Sequence, residues 1–228
     1  MEFRLFINFV EKLVAMLIGL DLDDTLYKEC EYVASGRRAV AAAVPCLESD
    51  ALKVMAEGED AFDALADFLR SRGVQDWPVS RMVDVYRNHT PDLKPDIQLI
   101  ATLQQLRHAG HKGVIITDGN FTRQLAKIRA LELEKAVDAV YVSEQVGGDK
   151  ITGRGFEAAV ADFPDQRRIY IGDNPAKDFD FPRRNGWYTV MLADSQGLNI
   201  HPAVGGCPAH TVIFDIIPFL KTLNPFTR

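Results

Sequence analysis

The sequence predicts an α/β protein, a doubly wound, Rossmann-like parallel sheet carrying an α-helical insertion, and three observations predict it. From Gly113 onward, short apolar runs alternate with amphipathic stretches, the signature of βαβ units. A block at 28–95 with helical patterning interrupts that alternation after a single strand candidate. Three acid-bearing turns fall at the carboxyl ends of candidate strands, where open parallel sheets bind ligands.

The elements follow in order. Met16 to Leu20 is a continuous apolar run, as expected of a strand buried on both faces. Within the insertion, helices are expected at Glu31 to Val44 before Pro45, Ala51 to Glu57 before Gly58, Asp60 to Arg72 before Gly73, and Val79 to Asn88 with Pro78 in the first turn. Asp96 to His108 repeats Ile97, Ile100, Leu103 and Leu106 at helical spacing and closes at Gly110. Strands are then expected at Gly113 to Thr117, Ala139 to Val142, Arg168 to Ile171, Thr189 to Leu192 and Thr211 to Phe214. Helices are expected at Thr122 to Leu131, Arg154 to Phe163, Asp178 to Asn185 and Ile216 to Leu223. The segment His201 to His210 reads as a loop, and residues 1–15 as an extension outside the core, with Met16 a possible start.

Composition narrows the function. With 228 residues, 47% of them hydrophobic, the chain can bury one ordinary core and a small second module. A net charge of −6 argues against a surface that coats nucleic acid, and no run is long and apolar enough to span a bilayer. Cys30, Cys46 and Cys207 have neither metal-ligand spacing nor the even count of a disulfide framework, which fits a cytoplasmic setting. Oligomeric state is not encoded in any pattern here.

The chemistry concentrates in the three turns. They are Asp21-Leu22-Asp23-Asp24-Thr25, Thr117-Asp118-Gly119-Asn120, and Gly172-Asp173-Asn174-Pro175-Ala176-Lys177-Asp178, with Lys150 between the last two. Carboxylates converging from neighbouring strands suit a hard divalent cation such as Mg2+, which prefers oxygen ligands at about 2.0–2.1 Å. A phosphate ester is anionic and repels an attacking carboxylate, and a bound dication removes that repulsion.

In this order, at these strand ends, the turns resemble those of the haloacid dehalogenase (HAD) superfamily of phosphotransferases. Asp21, Asp23 and Thr25 match its Asp-x-Asp-x-Thr motif, Thr117 its Ser/Thr motif, and Asp173 and Asp178 its Gly-Asp-x-x-x-x-Asp motif, over Met16 to about Leu192. The resemblance implies that Asp21 is the nucleophile of an aspartyl-phosphate and Asp23 the general acid and base. It implies that Thr117, the amides around Gly119, and Lys150 hold the phosphoryl group. Asp21, Asp173 and the Asp23 carbonyl would bind Mg2+, with Asp178 in support. Acting as an acid near neutral pH, Asp23 would need its pKa raised by nearby negative charge. The family's lysine is usually followed by Pro in this branch, and here by Ile151, so Arg154 and, more weakly, Lys177 stay open as the phosphate cation.

An insertion between the first two motifs resembles the helical cap of one branch of that superfamily. It divides the chain into a catalytic core at 16–27 and 96–228 and a cap at 28–95. Tyr27, Arg87 and His89 are candidates for reading the leaving group, with Lys28, Arg37, Arg38 and Tyr86 behind them. Gln124 and Lys127, one helical turn apart, also resemble this branch. The implied function is a Mg2+-dependent phosphatase acting on a small phosphorylated metabolite: a sugar phosphate, an acylneuraminate phosphate or a nucleotide. A phosphomutase and a non-catalytic protein keeping the fold are the alternatives. Dehalogenation is disfavoured, because it needs neither a second aspartate nor a metal and the chain has Asp23 and Asp173.

Overall fold

The computed structural model describes residues 15–193 and 209–224. The expected extension at 1–15 and the loop at 201–210 therefore fall almost wholly outside the described residues. The described chain divides into two compact units. One holds the residues up to Glu29 and from Lys94 onward, and the other is Cys30–Leu93.

The first unit is a six-stranded sheet with every neighbouring pair parallel. Its strands are β1 (Met16–Leu20), β2 (Lys112–Thr117), β3 (Ala139–Val142), β4 (Arg167–Gly172), β5 (Tyr188–Leu192) and β6 (Thr211–Ile213). The spatial order is β3-β2-β1-β4-β5-β6, so the chain reverses its direction of travel across the sheet between β1 and β4. All five residues of β1 are buried, as a central strand with both faces covered requires. Leu20 lies level with Ile115 on one side and Ile171 on the other, which brings three strand ends to one place. Leu17, Val114, Ile116, Phe156, Tyr170 and Trp187 form a packed core in this unit.

The second unit contains α1 from Cys30 onward (the whole helix is Glu29–Ala43), α2 (Glu48–Glu57), α3 (Ala61–Ser71) and α4 (Val79–Asn88). It has its own core of Val40, Val44, Met55, Leu65, Leu69 and Met82. Pro78 is the residue preceding α4, extended at ψ 160°, rather than a member of its first turn.

Back in the first unit follow α5 (Ile97–His108), α6 (Phe121–Ala130), α7 (Ser143–Val146), α8 (Arg154–Asp162), α9 (Asp180–Arg184) and α10 (Ile216–Thr222). Two expectations need correction. Ile97 is 71% exposed although its helical spacing placed it on the buried face of α5; it is the first residue of the helix, and the contacts begin with Leu99 and Ile100. The helix expected from Asp178 begins only at Asp180. Pro182 lacks an N–H and belongs in a first turn, so a helix starting at Asp178 would place it too deep. Helix α7 had no sequence signal at all.

Candidate active site

Each strand end delivers one carboxylate or hydroxyl. Asp21 follows β1 directly and is anchored by its N–H, which donates to Ile171 O at 2.9 Å across the sheet. The chain then turns tightly, with Leu26 N–H donating to Leu22 O at 3.0 Å. Asp24 takes the left-handed conformation at φ 54°, which aspartate tolerates, and its Oδ1 accepts the Glu29 N–H at 2.9 Å. Thr25 Oγ1 reaches Asp173 Oδ1 at 3.5 Å, tying the first turn to the end of β4.

The result is a polar cavity of about 140 Å3, lined by Asp21, Asp23, Asp24, Glu29, Thr117, Asp118, Asp173, Asn174 and Lys177. That is room for a phosphoryl group. Carboxylate oxygens of Asp21, Asp173 and Asp178 lie within 4.8 Å of one another, and all three residues are buried. Asp178 has both oxygens engaged, Oδ1 by Lys150 Nζ at 2.8 Å and Oδ2 by the Asn174 N–H at 2.8 Å. Asp21 and Asp173 are thus the better-placed donors for a cation, and Asp178 steadies the lysine and the turn.

Lys150 Nζ lies 2.5 Å from Asp21 Oδ1 and its side chain is 1% exposed. Its backbone N–H donates to Asp118 Oδ1 at 3.1 Å, which holds its loop against the second turn. Arg154, the alternative cation, instead pairs with Glu157 at 3.2 Å, with its side chain 62% exposed. Lys177 lines the cavity.

The site has more acid than base. Burial pushes the Asp21 carboxyl up; Lys150 opposes this, but Asp178 and Asp173 add to the rise, and the group ends well above the carboxylate range. Burial and the Asp178 charge likewise push Asp173 up to about 6. Burial alone would lower the Lys150 ammonium, but Asp178 and Asp21 outweigh it and hold it charged. Crowded, desolvated carboxylates with surplus negative charge are the donor set that a hard dication satisfies.

Asp23 behaves otherwise. Burial raises its carboxyl, but the Lys127 charge and hydrogen bonds from Lys127, Tyr27 and Gln124 prevail and bring it below its ordinary value. The expectation of a raised pKa is therefore corrected: the neighbours that matter are donors, not acids.

Three further expectations change. Tyr27 turns its hydroxyl onto Asp23 Oδ1 and so holds the proposed acid. His89 has both ring nitrogens engaged, with Tyr86 O at 2.6 Å and Ser35 Oγ at 3.1 Å, leaving neither for a substrate. Gly119 donates its own N–H to Ser143 Oγ at 2.9 Å, so that amide is not directed at a phosphoryl oxygen. Arg87 is an exposed residue of the second unit. Sequence reasoning missed Asp24, Glu29, Asp118 and Asn174 as cavity residues. Asp24, Asp118 and Asn174 sit inside the motif turns and were there to be found, whereas Glu29 arrives only through the turn at Asp24.

Comparison with known proteins places this geometry in context. A family model described as haloacid dehalogenase-like hydrolase matches residues 18–191. A glyceraldehyde 3-phosphate phosphatase of Methanopyrus kandleri is 28% identical over 202 residues, covering 80% of this chain and 85% of that protein. One of the same name from Methanocaldococcus jannaschii is 26% identical over 195 residues, covering 77% and 83%. Among solved structures, the magnesium-bound HAD-hydrolase YfnB of Bacillus subtilis superposes with a TM-score of 0.64 at 15% identity, over 92% of this chain and 99% of that one. At that identity the likeness concerns the fold.

Proposed function

Since this chain belongs to the haloacid dehalogenase-like hydrolase family, we propose that it is a Mg2+-dependent phosphatase acting on a small phosphorylated sugar through an aspartyl-phosphate on Asp21. One observation carries the reading: Asp21, Asp23, Thr117 and Asp173 face one cavity, with Lys150 Nζ 2.5 Å from Asp21. The substrate class rests on the two relatives named glyceraldehyde 3-phosphate phosphatase.

In the first step an Asp21 carboxylate oxygen attacks phosphorus in line as the ester P–O bond breaks, and the leaving oxygen takes a proton from Asp23. In the second, water gives a proton to Asp23 while its oxygen attacks the acyl-phosphate, releasing phosphate and restoring Asp21. Mg2+, held by Asp21, Asp173 and the Asp23 carbonyl, would neutralise charge between the carboxylate and the phosphoryl group. Thr117 and Lys150 grip the phosphoryl oxygens, and charge-assisted donors in a buried site are the strong kind. At rest Asp23 is ionised; the incoming phosphate dianion raises its proton affinity and loads it for the first step. The helical unit Cys30–Leu93 is inserted in sequence between β1 and β2, the position the helical cap takes in the branch that the sequence resembles.

The test is a panel of phosphorylated metabolites assayed for released phosphate with and without Mg2+. Triose and other short sugar phosphates should be hydrolysed only with the metal, and Asp21→Asn should lose at least about 10³-fold, as removal of a covalent nucleophile does. Activity surviving in Asp21→Asn removes the nucleophile assignment. An isomerised sugar phosphate in place of free phosphate would point to a mutase.

A further inference from the structure

Helix α6 carries two buried polar side chains one turn apart, Gln124 at 3% and Lys127 at 5% exposure. Burying an amide and an ammonium is costly unless each finds partners. Both find the same one, across more than a hundred residues of sequence. Lys127 Nζ donates to Asp23 Oδ1 at 2.7 Å and Gln124 Nε2 to Asp23 Oδ2 at 3.0 Å. Tyr27 adds its hydroxyl to Oδ1 from the first turn itself. A carboxylate gripped on both oxygens cannot rotate about its Cβ–Cγ bond without breaking contacts on each side. Gln124 Nε2 also lies 2.7 Å from Thr117 Oγ1. The same amide therefore sets the distance between the proposed acid and the hydroxyl that would hold the phosphoryl group.

We propose that Lys127 and Gln124 are positioning residues that aim the Asp23 carboxyl at the leaving oxygen, with Gln124 locking that aim to the phosphate grip at Thr117. The proposal deepens the phosphatase reading and rests on it. Neither side chain need touch the substrate. Their effect should appear only where a proton must reach the leaving group, because a good leaving group departs without one.

The test compares two aryl phosphates with full-length protein and saturating Mg2+, following phenol release in a single turnover with enzyme in excess. Lys127→Met should slow release from phenyl phosphate by about 10²-fold, the usual worth of a well-placed general acid, yet slow 2,4-dinitrophenyl phosphate less than about threefold. Gln124→Ala should show the same asymmetry, and serves if Lys127→Met fails to fold. Lys127→Arg, which keeps the charge and a donor, should recover most of the loss on phenyl phosphate. Equal losses on the two esters, or none on either, overturn the proposal, because a residue that only supports the fold cannot distinguish leaving groups. Wild-type protein that frees phosphate from neither ester nor from any sugar phosphate of the panel would instead overturn the phosphatase reading itself, so the two failures are separable.

Discussion

Lys150 has almost no contact with solvent, yet it holds a charge between Asp21 at 2.5 Å and Asp178 at 2.8 Å. Removing one member of a buried ionic group leaves the others charged without compensation, and typically costs about 3–5 kcal/mol. Lys150→Met should therefore lower the unfolding free energy obtained from urea denaturation by an amount in that range while also abolishing turnover; a loop lysine on the surface would change neither. The identity of this lysine was only half legible in the sequence. Its place between the second and third acid-bearing turns was clear, but choosing between Lys150 and Arg154 depended on how residues 147–154 turn, and spacing does not give that. Asp23 shows the same limit. Its position two residues after Asp21 was readable, whereas its pairing with Lys127 joins positions 23 and 127, which only the packing of α6 on the sheet brings together.

The strands were legible because a buried parallel strand needs an unbroken apolar run, and few other segments of the chain have one. Helix boundaries were less so, since caps depend on where side chains point. Asp96 is a true cap of α5, accepting from the Gln98 and Leu99 N–H groups, whereas Asp178, which looked like a helix start, is drawn inward by Lys150 and the Asn174 N–H. This difference gives opposite expectations for two substitutions. Asp96→Ala should cost about 1 kcal/mol in unfolding free energy, as lost caps do, with turnover unchanged. Gly172→Ala, at the end of β4, would place a methyl group 2.5 Å from Asp178 Oδ2. Asp178 must then move and release its hold on Lys150, and a displacement of this size in an active site costs about 10²-fold in rate. Steady-state kinetics alongside urea unfolding of both variants would check the pair, and full activity in Gly172→Ala would mean that Asp178 has no part in ordering the site.

Across the molecule, the acidic net charge of −6 is unevenly used: a cluster of carboxylates is buried at one end of the sheet while a histidine is buried at the other. His111 precedes β2, and its Nδ1 accepts the Met16 N–H at 3.1 Å where β1 begins. A ring nitrogen that accepts a backbone hydrogen bond must be unprotonated, and burial lowers the His111 pKa below its ordinary value, outweighing an opposing backbone contact at Leu223. The sign follows from linkage. Above the unfolded pKa of about 6.5 both states hold a neutral ring and nothing is lost; as pH falls through that value the unfolded chain takes a proton that the folded chain refuses. Stability should therefore decline between about pH 6.5 and the lower folded pKa. Asp173, raised to about 6, acts in the opposite sense over a similar range, since its folded form holds a proton more tightly than the unfolded chain does. The comparison must therefore be internal. His111→Asn keeps a side-chain acceptor for the Met16 N–H but cannot titrate, so its melting temperature should fall less than that of wild type between pH 7 and pH 5. Parallel curves for the two proteins would show that the ring takes up its proton equally in the folded and unfolded states, and that the joint between β1 and β2 is held in some other way.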